Sequence, residues 1–179
     1  TLMIHNDEKE VAIAGVMGGE DTQITKDTTS LYLESANCDG VLIRKTASAL
    51  ALRTDSSARY EKMLDPELTK IAISRFIKVL KEEDNQVSVS SSFTDVYLKH
   101  YPKITIDIDK EYINKKIGVE FSIEKIVDIL KSLEYEVEVE GENIKIGVPT
   151  FRATKDVSQK ADIIEEIARI YGYDNIVPQ

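Results

Sequence analysis

Residues 162–176 constrain this chain more than any other stretch. They read as one helix that carries three carboxylates along a flank and then stops at an aromatic–glycine turn. Ile163, Ile167 and Ile170 recur at helical spacing on one side, a stripe that must find a core. Asp162, Glu165 and Glu166 stand at i, i+3 and i+4 on another side, so their oxygens converge. Gly172 follows the last periodic residues and suits a left-handed C-terminal cap. Two carboxylates about 6 Å apart repel by about 3 kcal/mol at an effective dielectric of about 20, so the acidic flank calls for compensation. A hard divalent cation with oxygen ligands would supply it. The helix dipole, which favours acids in the first turn, supplies part of it with no ion at all.

The rest of the composition narrows the class. With 179 residues, 42% of them hydrophobic and 31% charged, the chain suits one large domain or two small ones with real cores. No apolar run approaches the roughly 20 residues that span a bilayer. The first residues lack a basic region followed by an apolar stretch, and the chain lacks an initiator Met, so it reads as a piece of a longer protein. Cys38 is the single cysteine, which permits neither an internal disulfide nor a cysteine-based zinc site and suits a reducing cytoplasm. Net charge is −9, and neither half has the basic excess that drives nonspecific nucleic-acid binding by counterion release. Any contact with RNA then runs through a local pocket or through parts outside these residues.

The pattern divides into two domains, 1–95 and 96–179, with the serine-containing segment 85–102 as the boundary. In the first, a strand over 11–14 leads into the glycine-rich turn 15–19, a second strand covers 31–36, and a helix covers 40–52. Asp65-Pro66 marks the start of a further helix over 66–81 that would bury Leu68, Ala72, Phe76 and Leu80. In the second, Ile104, Ile106 and Ile108 alternate as a half-buried strand. A short helix over 110–117 ends at Gly118. Ser122 caps a helix with the stripe Ile123, Ile126, Val127, Leu130 and Leu133. A hairpin about Gly141 sets Val137 and Val139 against Ile144 and Ile146. The whole is an α+β chain, its second half like a winged helix. That architecture invites a DNA-binding reading, but Glu134, Glu136, Glu138, Glu140 and Glu142 make the wing an acidic solvated face.

Several residues stand out chemically. The run 13–20 is no phosphate loop, since it lacks the Gly-Lys-Ser/Thr ending, and it fails the dinucleotide spacing. Its glycines permit positive φ and close backbone approach to a ligand, or simply a tight turn. Glu34 sits in a run otherwise fit for a buried strand, so it either faces water at an edge or points into a polar pocket. The hydroxyls of residues 54–57 line the same pocket or make a helix cap. His5 and His100 are isolated, no Ser/His/Asp arrangement is visible, and neither histidine is a catalytic candidate.

IAGVMGGE, LYLESAN and LRTDSSARYEKMLDPEL, followed by the acidic terminal helix, resemble in order and spacing the B3/B4 editing region and B5 domain of the bacterial phenylalanyl-tRNA synthetase β-subunit family. The resemblance covers essentially the whole chain. It implies an editing pocket for mischarged tyrosyl-tRNA at Gly15, Gly18, Glu34, Thr54 and Ser56, with Ser56 where the family carries alanine. That substitution predicts a slightly smaller and more polar pocket. The family's upstream half of the pocket, with a histidine and an asparagine, lies outside these residues, and no side chain here is a nucleophile. The resemblance also implies Mg²⁺ on Asp156, Asp162, Glu165 and Glu166 at a contact with an α subunit. It implies an α2β2 cytoplasmic ligase acting on tRNA(Phe), with ATP bound by the α subunit and no aminoacylation by this piece. Two rivals remain: a noncatalytic winged-helix-like module for nucleic acid or a partner protein, and a free-standing editing hydrolase.

Overall fold

The computed structural model describes residues 1–98, 100–154 and 156–177. The chain divides into two compact units, Thr1–Thr94 and Asp95–Gln179. No helix among the described residues is long and apolar enough to cross a membrane.

Unit one opens with a three-stranded antiparallel sheet, β1 (Met3–His5), β2 (Glu10–Ile13) and β3 (Met17–Gly18), in that spatial order. Ile13 pairs with Met3 on one side and Met17 on the other. The tight link between β2 and β3 requires a left-handed residue, and Gly15 takes it at φ +66°. After a 3₁₀ turn (Glu20–Thr22) and a long irregular stretch comes α1 (Gly40–Ala49), whose cap is Asp39, accepting from the amides of Val41 and Leu42 at 2.9 and 3.0 Å. Helices α2 (Asp55–Tyr60) and α3 (Leu68–Glu83) follow. The core of this unit is small: Ala14, Val16, Ile43 and Ala47.

Two expectations fail in this unit. Residues 31–36 form no strand, because strand propensity becomes a strand only when a neighbour pairs with the backbone, and no ladder reaches them among the described residues. Helix α3 begins at Leu68 and buries no residue completely. Leu68 and Phe76 are each 44% exposed, Ala72 is exposed too, and Ile73, Ile77 and Leu80 are half-buried. Periodicity shows that a helix has an apolar face, but not that anything covers it. Asp65 does organise the entry to α3: its carboxylate accepts from the Glu67 amide at 2.9 Å and its carbonyl from the Leu68 amide at 3.2 Å.

Unit two has the richer core. Its sheet is antiparallel in the order β4 (Thr105–Asp109), β6 (Asn143–Gly147), β5 (Glu136–Glu140). Ile146 stands between Ile106 and Val137, and Ile144 between Ile108 and Val139, so one sheet face is an isoleucine layer. Helices α4 (Lys110–Ile117), α5 (Ile123–Ser132), α6 (Thr150–Ala153) and α7 (Lys160–Tyr171) complete the unit, with a 3₁₀ turn at Tyr173–Asn175. Asp109 caps α4, Gly118 ends it in the left-handed region, and Ser122 caps α5. The α5 stripe enters the core through Ile126 and Leu130, joined by Ile129. The Asn114 side chain is a buried link between α4 and the α5 approach: it accepts from the Phe121 amide at 3.0 Å and donates to Glu120 at 2.9 Å. The five wing glutamates are all exposed, and Glu136, Glu138 and Glu142 pair with Lys103, Lys145 and Lys110.

The terminal helix departs from expectation at two points. Its buried face is rotated, centred on Ile163, Ile167 and Ala168 with Ile164 and Tyr171 half-buried, which leaves Ile170 43% exposed. Gly172 has φ +98° but ψ 119°, outside the left-handed helical region, although its amide still donates to the Ala168 carbonyl at 2.9 Å. Its Cβ position would lie 2.9 Å from the Asn175 side-chain nitrogen, so Gly172 caps the helix through a tight turn and not through the left-handed conformation.

Candidate functional site

In unit one, the expected pocket residues gather around the β2–β3 turn. Thr54 is the N-cap of α2: its Oγ1 accepts from the Ser57 amide at 3.0 Å, and Ser57 closes a capping box by accepting from the Thr54 amide at 2.9 Å. The same Thr54 hydroxyl donates to the Val16 carbonyl at 2.6 Å. Two residues on, Ser56 donates to the Gly15 carbonyl at 3.1 Å. The first turn of α2 is thus fastened to the glycine turn by two hydroxyls. Ser56, which should have narrowed the pocket, has its hydroxyl committed to the turn.

The glycines play different parts. A Cβ on Gly15 would lie 2.9 Å from Ile43 and 3.4 Å from the Tyr60 ring, so the turn is clamped between α1 and α2. Gly18 is exposed, with open space where a side chain would go. Gly19, not singled out in the sequence, is the sterically obliged one: its Cβ would sit 2.6 Å from the Val11 carbonyl oxygen. Glu34 is exposed on the irregular segment before α1. Its charge still reaches this corner. Burial, then the Glu34 carboxylate, pushes the Cys38 thiol above its ordinary value. Tyr60 is raised by burial first, then by Cys38 and Glu34, while the Ala36 amide donates toward the phenol and opposes the shift. Tyr60 went unnoticed in the sequence, because an aromatic in a short helix carries no signal of its own.

In unit two, the four carboxylates implied as magnesium ligands are described, and three of them, Asp156, Asp162 and Glu166, already accept hydrogen bonds within the protein. Asp162 accepts the amides of Ser158 and Gln159 at 2.8 and 3.0 Å, the role of a helix-start acid. Glu166 is buried, and both its oxygens are held: Arg152 donates at 2.8 and 3.2 Å and Arg169 at 2.6 Å. Arg152 also pairs with Asp156 through Nε. The bond from Arg152, more than that from Arg169, holds the Glu166 carboxyl below the usual carboxylate range. Glu165 is exposed. Among the described residues no group of three or more His, Cys, Asp or Glu side chains could hold a metal ion. The buried Tyr135 hydroxyl, close enough to feel Arg152, Glu166, Asp156 and Arg169, has no hydrogen-bond partner among the described residues. As arranged, these residues do not fit Mg²⁺. Arg169 was visible three residues after Glu166; Arg152, fourteen residues before it, had no local signal.

A shallow depression of about 490 Å³ on the sheet of unit two, lined by Asp107, Asp109, Glu138, Glu140 and Lys160 among others, contains none of the residues expected to act.

Comparison with known proteins bears on both units. Residues 1–84 match the B3/4 domain family and residues 106–173 the tRNA synthetase B5 domain family. A protein named phenylalanine–tRNA ligase beta subunit from Clostridium tetani is 41% identical over 175 residues, 98% of this chain and 22% of that protein. One of the same name from Clostridium acetobutylicum is 40% identical over 176 residues, with the same shares of 98% and 22%. The crystal structure of an N-terminal fragment of the phenylalanyl-tRNA synthetase beta subunit from Pyrococcus horikoshii gives a TM-score of 0.36 at 29% identity, over 40% of this chain and 20% of that one. The chain spans about a fifth of the length of the curated relatives it matches.

Proposed function

The chain belongs to the phenylalanine–tRNA ligase β-subunit family through a B3/4 domain followed by a B5 domain, and on that premise we propose that its first unit forms one wall of a pocket that hydrolyses mischarged tyrosyl-tRNA(Phe). The whole enzyme charges tRNA(Phe) with phenylalanine, using ATP and Mg²⁺, in the cytoplasm. It is an α2β2 assembly whose α subunit binds ATP, and the present chain, taken as domains 1–95 and 96–179, contributes editing and subunit structure.

The observation that carries the reading is the fastening of Thr54 and Ser56 to the Val16 and Gly15 carbonyls, at 2.6 and 3.1 Å. It holds a glycine turn and a helix start together at one corner, which is how a site keeps backbone donors in fixed positions, and the Glu34 carboxylate acts electrostatically on Cys38 and Tyr60 beside it. Discrimination energetics explain why such a pocket is needed. A synthetic site that must reject tyrosine faces an added hydroxyl, and an apolar pocket rejects that by only about a hundredfold. A second site that demands the phenol closes the gap. A hydrogen bond from the phenol to the Glu34 carboxylate contributes roughly 1.5–3 kcal/mol, about ten- to over a hundredfold in favour of tyrosine. With no nucleophile required of the chain, the ester and a water are positioned by backbone and hydroxyl groups.

Glu34→Ala in the full-length enzyme tests this. Clearance of tyrosyl-tRNA(Phe) should fall by about ten- to a hundredfold while phenylalanine charging stays near wild type. Unchanged clearance rejects the assignment and leaves Glu34 as a surface carboxylate.

A further inference from the structure

The acidic flank of α7 needs a counter-charge, and the fold already contains one. Arg152 projects from α6, the four-residue helix after β6, and its three guanidinium nitrogens are all used: Nε on Asp156, Nη1 and Nη2 on the two oxygens of Glu166. This fork geometry is what a guanidinium provides and a lone ammonium does not. Arg169 closes the far side of Glu166 from within α7. The Glu166 side chain is 8% exposed and that of Arg152 20%, so both charges lie largely out of water, where pairing counts most. Two carboxylates, Asp156 and Glu166, face two guanidinium ions, and the sum is neutral. A divalent ion at Glu166 therefore meets guanidinium groups on both carboxylate oxygens, and the acids beside it, Asp162 and the exposed Glu165, do not join it in a group that could hold a metal ion. Mg²⁺ also loses its waters reluctantly and demands near-octahedral oxygen ligands.

We infer that Arg152 is the resident cation of the α7 acidic flank: it holds Glu166 and Asp156 in place of a divalent ion, so the terminal helix keeps its fold without metal, and an ion reaching those oxygens must first displace the guanidinium.

The test uses the full-length subunit and follows hydrogen exchange of the peptide spanning residues 160–171, in EDTA and in millimolar MgCl₂. Wild type should exchange at the same rate in both. Arg152→Met keeps the stem and removes the charge, which leaves Glu166 with one partner. It should exchange roughly tenfold faster or more in EDTA, and MgCl₂ should slow it, because the oxygens are now open. Calorimetric titration with MgCl₂ should likewise detect binding attributable to this flank in Arg152→Met and not in wild type. If Arg152→Met fails to fold, Arg152→Lys, which retains the charge on a single ammonium, carries the same comparison. The inference is overturned by wild-type protection that collapses in EDTA. It is equally overturned by a variant that matches wild type in EDTA or does not respond to MgCl₂.

Discussion

Thr54→Val should loosen the α2 corner by about 2 kcal/mol. The substitution keeps the branched shape and removes only the hydroxyl, so steric effects are small. That hydroxyl serves two bonds at once. It accepts from the Ser57 amide at 3.0 Å as the N-cap of α2, and it donates to the Val16 carbonyl at 2.6 Å. Loss of an N-cap side chain costs about 1 kcal/mol. Loss of an ordinary hydrogen bond costs about another 1 kcal/mol, and more where the partner left behind is shielded from water. Val16 is 2% exposed, so its carbonyl is poorly placed to find water instead. About 2 kcal/mol corresponds to roughly thirtyfold in a local opening equilibrium. Global denaturation of a multidomain subunit is not two-state, so its midpoint gives a direction of change and no local free energy. Hydrogen exchange reports the corner directly: the amides of Ser57 and Ala58, which donate to the Thr54 side chain and carbonyl, should exchange roughly thirtyfold faster. Thr54→Ser retains the oxygen and should stay near wild type. An acceleration below about threefold in Thr54→Val would show that the hydroxyl is not what fastens α2 to the glycine turn, and the positional argument for the pocket would lose its main support.

Gly18 and Gly19 should respond oppositely to substitution. Gly18→Trp has open space and should leave thermal unfolding unchanged while blocking editing, whereas Gly19→Ala, whose Cβ would meet the Val11 carbonyl at 2.6 Å, should lower the melting temperature; a Gly18→Trp variant that loses its transition would make the turn purely structural. Asn114→Leu should destabilise unit two by about 1–3 kcal/mol, since the Phe121 amide is left buried without its acceptor, and hydrogen exchange of unit two at the wild-type rate would mean that the amide finds another partner.

What was legible in advance is what local chemistry decides. Ser122 caps a helix, Gly118 ends one, and the alternation of residues 137–146 sets the hairpin register, because each depends on residues a few positions apart. The grouping of Gly15, Thr54 and Ser56 was reachable only through the family resemblance, since nothing in residues 15 and 56 by themselves shows that a hydroxyl and a carbonyl 41 positions apart will meet. The run 31–36 had strand character in its side chains, yet a strand is a property of two backbones, and the pairing is absent among the described residues. The apolar face of α3 was equally plain and equally silent about what covers it. On α7 the sequence displayed the acids and the need for compensation. It did not display the answer, because the compensating charge is a guanidinium fourteen residues upstream, carried to Glu166 by the turn of chain after β6. A charge pattern states an electrostatic demand from local spacing alone. Which group meets that demand is decided by what the tertiary structure brings within about 3 Å, the distance at which a charged hydrogen bond forms.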